Sequence, residues 1–443
     1  MNEVNLSIFS FISLIVLSVV YYFLISEKLN KVLVAMYGAV FLIFMQVFRD
    51  ATHTSQENAL LFVSKNLDVL GFVIGMMILV GIVRESGIFE AAALSLVKLV
   101  QGRPRLLLIA LAYLTMVMTV FLSNIPTMLI LAPILFVLIR ELKLPFLPYL
   151  LTVVTFANIS GSMTPISDPT TYYQAKTVGL GFMEVVTNSG LIALAVSVVT
   201  ILFVLVVFHK QLSAVHVSKK DVAAFKPMSA IRNKRTLAIG LPLLVGAILL
   251  MTLKEWIFTL TGATLDNATI TLTAGFFAMF IFHREPKKIF SELIDWETVF
   301  FFLGLFVVVG ALEFTHVVPF FAQTLISWTG GSMTWLLAIV SMGSGVLSTF
   351  IDNVPYNITM VGAIQEMAKT GIVVYPLWWA LNLGTSIGGA GSPIGAACNV
   401  IAFSQAEKEN IHVPFFKYLA YGLPLVLINS FTAFIILVLK YHA

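Results

Sequence analysis

The sequence is organised around a polar interruption that occurs twice within long apolar runs. FLSNIPTMLI occupies residues 121–130, and FIDNVPYNIT occupies residues 350–359. A second polar stretch, broken by Gly and Pro, follows each of them about forty residues later. It reads NISGSMTPISDPTTYY at 158–173 and GTSIGGAGSPIGAACN at 384–399. Two copies of a two-part motif with nearly equal spacing predict an internal duplication.

The composition places these motifs in a membrane protein. Of 443 residues, 59% are hydrophobic and 11% are charged, and the mean hydropathy is +0.98. Apolar runs of about 20 residues recur along the chain, as expected for helices that cross a bilayer. The net charge of +4 comes from loops and indicates topology, so a lipid bilayer is the expected partner and nucleic acid is not. No basic n-region precedes the first apolar run, so no cleavable signal peptide is expected.

The offset between matched residues defines two repeats. Asn124 and Asn353 are 229 positions apart, and Thr164 and Ser392 are 228 apart. We therefore predict a first repeat at 1–208, a basic cytoplasmic loop at 209–236 and a second repeat at 237–443. Within the repeats, the scaffold spans are 6–48 and 237–282, and the units with a hairpin and a broken helix are 67–208 and 298–440.

Charge distribution predicts how the repeats are oriented. When the basic loop is placed inside, most of the 26 Lys and Arg residues fall on the cytoplasmic side. In this threading the first hairpin enters from the cytoplasm and the second from outside. The predicted fold is an all-α polytopic membrane protein with two inverted-topology repeats, each with a helical hairpin and a broken transmembrane helix. Such repeats are typical of secondary transporters, here multi-pass in the plasma (inner) membrane.

The four polar stretches supply the candidate binding site. Non-helical backbone at membrane depth occurs where it is buried in protein or lines a cavity, and broken helix ends suit ions. Turn chemistry between two full spans is the alternative explanation. The candidate ligands for a substrate or ion are Ser123, Asn124, Thr127, Thr164, Ser167, Asp168, Asp352, Asn353, Asn357, Ser392 and Asn399. Four of these could hold sodium, namely Ser123, Asn124, Asp352 and Asn353.

Two acids stand out because each occurs in one repeat only. Asp352 lies where the first repeat has Ser123, and Asp168 lies where the second has Ala396. An acid at membrane depth costs roughly 2.5–3.5 kcal/mol on insertion scales. Cation coordination or proton exchange would explain this cost. The alternative is a carboxylate that only caps a helix N-terminus.

Other classes of protein are disfavoured. All seven histidines lie in loops or at the ends of spans, and the sequence has no Walker A motif. We therefore expect neither an enzyme nor an ATPase. A channel is harder to exclude, although duplicated hairpins that converge on one site favour alternating access.

The motifs FLSNIPTMLILAP, TPISDPTT, FIDNVPYN and GGAGSPIGAACNV resemble those of the ion transporter superfamily across essentially the whole chain. That group contains the arsenite pump ArsB, the melanosomal P protein, NhaD-type sodium/proton antiporters, citrate transporters and divalent-anion/sodium symporters. The resemblance implies a scaffold that dimerises, so a homodimer is expected, and a transport domain that moves like an elevator. It implies no cofactor beyond sodium or a proton as the coupling ion.

The details of the motifs discriminate among branches. The symporter branch has Ser-Asn-Thr at each hairpin tip, whereas here Ile125 follows Ser123 and Asn124, and Asp352 replaces the second Ser. Ser167-Asp168-Pro169 is similar to the Gly-Asp-Pro of the ArsB and P-protein branch. We therefore predict a secondary transporter of a small ion or (oxy)anion, coupled to protons or sodium. A NhaD-like antiporter and a citrate or dicarboxylate carrier are the alternatives.

The single cysteine raises a narrower hypothesis. Cys398 stands beside Asn399 in the second broken span and suggests arsenite ligation through a thiol. The sequence favours the other explanation, a lone small residue in a packed broken helix.

Overall fold

The fold is seen in a computed structural model that describes residues 7–26, 29–215, 217, 222–223, 225–262 and 264–442. Throughout these residues the regular structure is helical. Eight of the described helices are long and apolar enough to cross a bilayer. Helices satisfy their own backbone hydrogen bonds, which lipid cannot do. The chain is therefore an integral, multi-pass, all-α membrane protein, as its composition predicts.

The first half contains eleven helices in the described residues. They are α1 (Ile8–Ser26), α2 (Lys31–Phe44), α3 (Ser55–Ser64), α4 (Leu67–Arg84), α5 (Ile88–Leu99), α6 (Pro104–Leu122), α7 (Asn124–Glu141), α8 (Phe146–Gly161), α9 (Pro169–Val178), α10 (Phe182–Val207) and α11 (His209–Ser213).

The second half contains ten described helices. They are α12 (Lys234–Thr261), α13 (Asn267–Ile281), α14 (Pro286–Glu292), α15 (Trp296–Phe314), α16 (Val317–Thr329), α17 (Met333–Phe350), α18 (Asn353–Lys369), α19 (Tyr375–Gly389), α20 (Ala397–Lys408) and α21 (Phe415–Tyr441). Helices α4 to α8 and α15 to α19 begin 229 residues apart, and α9 and α20 begin 228 apart. The order of helices is therefore the same in both halves.

Helices of the two halves cross each other closely at two places. A Cβ added to Gly75 of α4 would lie 2.5 Å from the backbone of α13, and one added to Gly304 of α15 would lie 2.7 Å from the backbone of α2. Small residues allow such approaches between membrane helices. Because Gly75 and Gly304 are repeat-matched, each half holds the opening spans of the other in the same way.

The four polar stretches fall at breaks between helices, as the sequence predicts. Residue 123 separates α6 from α7, and residues 162–168 separate α8 from α9. In the second half, residues 351–352 separate α17 from α18, and residues 390–396 separate α19 from α20. Helix α7 packs on α20 and α18 packs on α9. Each hairpin therefore contacts the broken helix of the other half, which brings the breaks together.

Two segments differ from the simplest interpretation of the sequence. The polar stretch after α2 contains α3, whose N-terminus has a capping box between Thr54 and Glu57. The basic segment 209–236, part of which lies outside the described residues, packs on its neighbours. Arg232 donates its backbone N–H to Ser86 O at 2.9 Å and forms an ion pair with Glu90.

Candidate functional site

The first hairpin turns at a single strained residue. Ser123 has φ 75° and ψ 161°, a region that glycine readily adopts and other residues avoid. Asp352, its repeat-matched partner, has an ordinary backbone conformation with φ −49° and ψ 135°. The Ser123 hydroxyl makes only a 3.5 Å contact with Asn124 Oδ1. The strain therefore belongs to the first hairpin tip alone.

Asp168 lies at the N-terminus of the second part of the first broken helix. It is 1% exposed and caps α9, since its Oδ1 accepts from Thr170 N at 2.8 Å and from Thr170 Oγ1 at 2.6 Å. The helix-cap explanation considered from the sequence is thus part of its role.

The other carboxylate oxygen of Asp168 joins the two hairpins. Asn124 Nδ2, from the first tip, donates to Asp168 Oδ2, and Asn353 Nδ2, from the second tip, approaches the same oxygen at 3.4 Å. Asn124 N also donates to Ser167 O at 3.1 Å. Along the chain, Asn124 lies 44 positions and Asn353 lies 185 positions from Asp168. One buried carboxylate therefore holds matched residues of both halves.

Asp352 also caps a helix, but it keeps one oxygen free. Its Oδ1 accepts from Val354 N at 3.0 Å, at the start of α18. Among the hydrogen bonds of the residues that the structure describes, Asp352 takes part through Oδ1 and not through Oδ2. The two acids therefore differ in chemistry, because the Asp168 carboxylate is saturated and that of Asp352 is not.

A small cavity lies between the hairpin tips and is called the tip cavity below. Its volume is about 20 Å³, enough for one water molecule, which needs roughly 10–15 Å³. One Lys and two Asp side chains give it a formal charge of −1. It is lined by Lys31, Asn124, Ile125, Asp168, Pro169, Thr298, Phe301, Phe302, Asp352, Asn353, Val354 and Ala397.

A larger cavity, the vestibule, adjoins the tip cavity. Its volume is about 280 Å³. Lys31, Asp352 and Ala397 line both cavities. The remaining residues that line the vestibule are Leu24, Leu29, Glu297, Phe350, Ile394 and Val400. A small ion fits the tip cavity, and of these two cavities the vestibule is the one with room for a larger solute.

The sequence analysis missed Lys31. It is the first residue of α2, a span assigned to the scaffold, where a basic residue is typical of a membrane interface. Nothing in its sequence neighbourhood connects it with the polar motifs, and packing of α2 against α15 brings it to the site. The four polar motifs themselves contain no Lys or Arg, so the cation of this site comes from outside them.

The other candidates do not line the tip cavity; they stabilise the breaks around it. Thr127 Oγ1 donates to Ser123 O at 2.7 Å, and Thr164 Oγ1 donates to Val120 O at 3.2 Å. Ser167 Oγ donates to Gly161 O at 2.8 Å. The bonds to Val120 O and Gly161 O satisfy carbonyls that the breaks leave without a helical partner, whereas Ser123 O also accepts from Thr127 N at 3.2 Å.

The candidates of the second half stabilise their breaks in a similar way. Ser392 Oγ donates to Thr349 O at 2.5 Å, and Asn399 Nδ2 donates to Ser392 O at 2.7 Å. Asn357 lies farther along α18 and donates to Gln174 Oε1 at 3.2 Å. Asn124, Asp168, Asp352 and Asn353 are therefore the candidates that line the tip cavity.

The charged side chains do not form a transition-metal site. No group of three or more His, Cys, Asp or Glu residues that could hold a metal ion occurs within the described ranges. Cys398 is fully buried, and it is the only cysteine in the chain. A monovalent cation would instead find carboxylate and amide oxygens of the hairpin tips, ligands that suit hard cations.

Comparison of the sequence with known proteins identifies its family. The sequence pattern of the citrate transporter family (CitMHS) matches residues 21–384 and, in a second alignment, 322–442. A "46 kDa membrane protein" of Mycobacterium leprae is 27% identical over 98% of this chain and 99% of its own length. An "uncharacterized transporter" of Mycobacterium tuberculosis is 28% identical over 95% of this chain and 96% of its own length.

A human protein is also similar. The "P protein" of Homo sapiens is 25% identical over 94% of this chain, which spans 58% of that protein. The resemblance to the ion transporter superfamily drawn from the motifs is thereby confirmed. The chain is a membrane transporter that belongs to the citrate transporter family.

Proposed function

We propose that the protein is a secondary active transporter in which Asp352 carries the coupling cation, a proton or Na⁺. The observation that carries this proposal is the tip cavity, where both hairpins meet around two acids, one Lys and two carboxamides. Its formal charge of −1 and its volume of about 20 Å³ suit one small monovalent cation. An unneutralised anion would be repelled by the two carboxylates.

The assignment to Asp352 depends on the difference between the two acids. Asp168 already accepts from Thr170 and from the asparagines of both tips. A cation at Asp168 would have to displace these donors. Asp352 lines the tip cavity, and no described residue donates a hydrogen bond to its Oδ2, so it can exchange a cation without breaking the contacts between hairpins.

The substrate is proposed to be a small ion or (oxy)anion that enters through the vestibule. The description of the family, citrate transporter, supports a carboxylate. Lys31 also supports an anion, since it is a cation in a space of about 280 Å³. A NhaD-like exchange of Na⁺ for protons is the second candidate, favoured by the net negative charge of the tip cavity.

Alternating access by inverted repeats is the proposed mechanism. Lys440, near the end of α21, donates to Thr187 O at 3.3 Å and to Asn188 Oδ1 at 2.7 Å, near the start of α10. These contacts give the matched helices α10 and α21 opposite directions, which supports inversion. We further propose an elevator movement, a homodimer and a plasma-membrane location with the basic segment 209–236 in the cytoplasm.

Proton flux in proteoliposomes tests the coupling. An imposed pH gradient is challenged in turn with Na⁺, Li⁺, arsenite, citrate and succinate, for the wild type and Asp352→Asn. Asp266→Asn is the control, because Asp266 caps an exposed helix end through Thr269 N at 2.7 Å. We expect Asp352→Asn to abolish coupled flux and Asp266→Asn to retain it.

The active solute identifies the class of substrate. If Na⁺ or Li⁺ alone discharges the gradient, the protein is a cation/proton antiporter and the anion proposal is wrong. If one anion does so, that anion gives the substrate class. If no solute moves protons, the assay is repeated with a sodium gradient. Coupled flux of normal size in Asp352→Asn, under either gradient, would contradict the role of Asp352.

A further inference from the structure

Lys31 faces the tip cavity and the vestibule from a helix that contributes none of the polar motifs. Its ammonium lies 5.5 Å from the centre of the Phe301 ring, a distance at which a cation and an aromatic face attract each other. Among the described residues it forms no ion pair. Its cationic group therefore remains available to the site.

The charged groups around Lys31 are mostly acidic. Asp168 and Asp352 line the tip cavity with it, and Glu297 lines the vestibule. The Tyr21 phenol of α1 also lies near enough to the Asp352 carboxylate to interact with its charge. Three carboxylates against one ammonium leave a deficit of positive charge, which a bound cation would reduce.

Lys31 and Asp352 belong to different parts of the fold. Lys31 begins α2, which packs on α15, whereas Asp352 lies between the arms α17 and α18 of the second hairpin. Asp352 Oδ2 is a carboxylate oxygen of the site that accepts no hydrogen bond from a described residue. Lys31 lines the same two cavities as Asp352, and its ammonium is carried on a flexible four-carbon side chain.

We propose that Lys31 is a tethered cation that competes with the coupling cation for Asp352. In the empty carrier the ammonium neutralises Asp352, and on loading the coupling cation replaces it while Lys31 turns to the face of Phe301. The proposal deepens the function proposed above and rests on it. Neutralisation matters because a carboxylate buried without a counter-charge is costly, by several kcal/mol.

Competition has a measurable consequence. Removal of the ammonium removes the competitor, so the coupling cation should bind Asp352 more tightly. A unit charge in a partly buried site changes binding by roughly tenfold or more. The apparent affinity should therefore rise in a variant that loses the charge and stay near that of the wild type in one that keeps it.

The test compares Lys31→Met, which keeps length and loses charge, with Lys31→Arg, which keeps the charge. Transport in proteoliposomes is titrated with Na⁺ and Li⁺ at fixed pH, and with protons across a pH series. We expect the half-saturating concentration of the coupling cation to fall about tenfold in Lys31→Met and less than threefold in Lys31→Arg. In an Asp352→Asn background, where coupled flux is expected to be absent, Lys31→Met should not restore it.

Two results would overturn the proposal. One is an unchanged half-saturating cation concentration in Lys31→Met. The other is a raised KM for an anion without any change in cation dependence, which would make Lys31 a ligand of the substrate. If Lys31→Met does not fold, Lys31→Gln replaces it. If Asp352→Asn alone retains normal cation dependence, the proposed function fails, and that result is distinct from a failure confined to Lys31.

Discussion

The contacts of Asp168 lead to a quantitative prediction for Asp168→Ala. The substitution leaves four donors without their acceptor, namely Thr170 N, Thr170 Oγ1, Asn124 Nδ2 and Asn353 Nδ2. A buried donor without a partner costs about 1–3 kcal/mol. Asn353 is the weakest of the four at 3.4 Å.

Asp266→Ala isolates the contribution of the two asparagines. Asp266 caps α13 with the same chemistry, since it accepts from Thr269 N at 2.7 Å and from Thr269 Oγ1 at 2.6 Å, but it is exposed and contacts no hairpin. Loss of such a cap costs about 1 kcal/mol. Relief of the burial cost of the Asp168 carboxylate opposes the loss of its bonds. We therefore expect Asp168→Ala to lose about 2–4 kcal/mol more than Asp266→Ala.

The assay uses the single thiol of the chain. Cys398 is fully buried, so a maleimide fluorophore reacts with it only when the surrounding helices open. Denaturant titration in detergent, followed by labelling of Cys398 and by tryptophan fluorescence, gives the free energy of unfolding. Equal destabilisation by Asp168→Ala and Asp266→Ala would show that the bonds between the hairpin tips contribute nothing, and the role assigned to Asp168 would be wrong.

Three further predictions concern stability and use the same denaturant titration. Gly75→Ala and Gly304→Ala should each destabilise the protein by about 1–3 kcal/mol, because the added Cβ would lie 2.5 and 2.7 Å from backbone atoms of the crossing helix. Gly246→Ala is the control and should cost nothing, since no atom lies within 4 Å of its added Cβ. Equal effects of the three substitutions would contradict the close crossings. Ser123→Gly should stabilise by about 1 kcal/mol by relieving the positive φ, and destabilisation would mean that the hydroxyl contributes more than the strain. The backbone N–H groups of His53 and Thr52 donate hydrogen bonds to the Asp50 carboxylate and hold its pKa well below its usual range. In the unfolded chain the Asp50 side chain has the ordinary pKa of about 3.9, so as the pH falls it takes up a proton before the folded protein does. The wild type should therefore lose this stabilisation as the pH falls below about 4. In Asp50→Asn that component of the pH dependence should be absent, and an unchanged profile would refute the assignment.

Local chemistry explains why the sequence predicted the breaks in the helices. Pro126 and Pro355 lie just after the two hairpin tips, and Gly and Pro interrupt both later stretches. Such residues disrupt a helix wherever it packs, so the positions of the breaks follow from the sequence. The constant offset between the halves is likewise a property of the sequence, and it recurs in the starting residues of the helices.

The contacts across the site depend on tertiary packing and left no local signal. Lys31 follows an ordinary interfacial pattern, and only the crossing of α2 and α15 at Gly304 carries it to the tip cavity. The two asparagines were candidates because of their type and position. Their common acceptor could not be identified from the sequence, because Asp168 is far from Asn353 along the chain.

The duplication provides a symmetric frame, and substitutions within it make the site asymmetric. Asp168 is matched by Ala396 and Asp352 by Ser123, so each half contributes one acid from a different member of the motif. A symmetric site would hold either two saturated carboxylates, with none free for a cation, or two free ones that repel each other in about 20 Å³. In the function proposed above, this arrangement separates the roles, because Asp168 holds the hairpins together and Asp352 exchanges its partner. Lys31, from outside the motifs, would then supply a positive charge to the site.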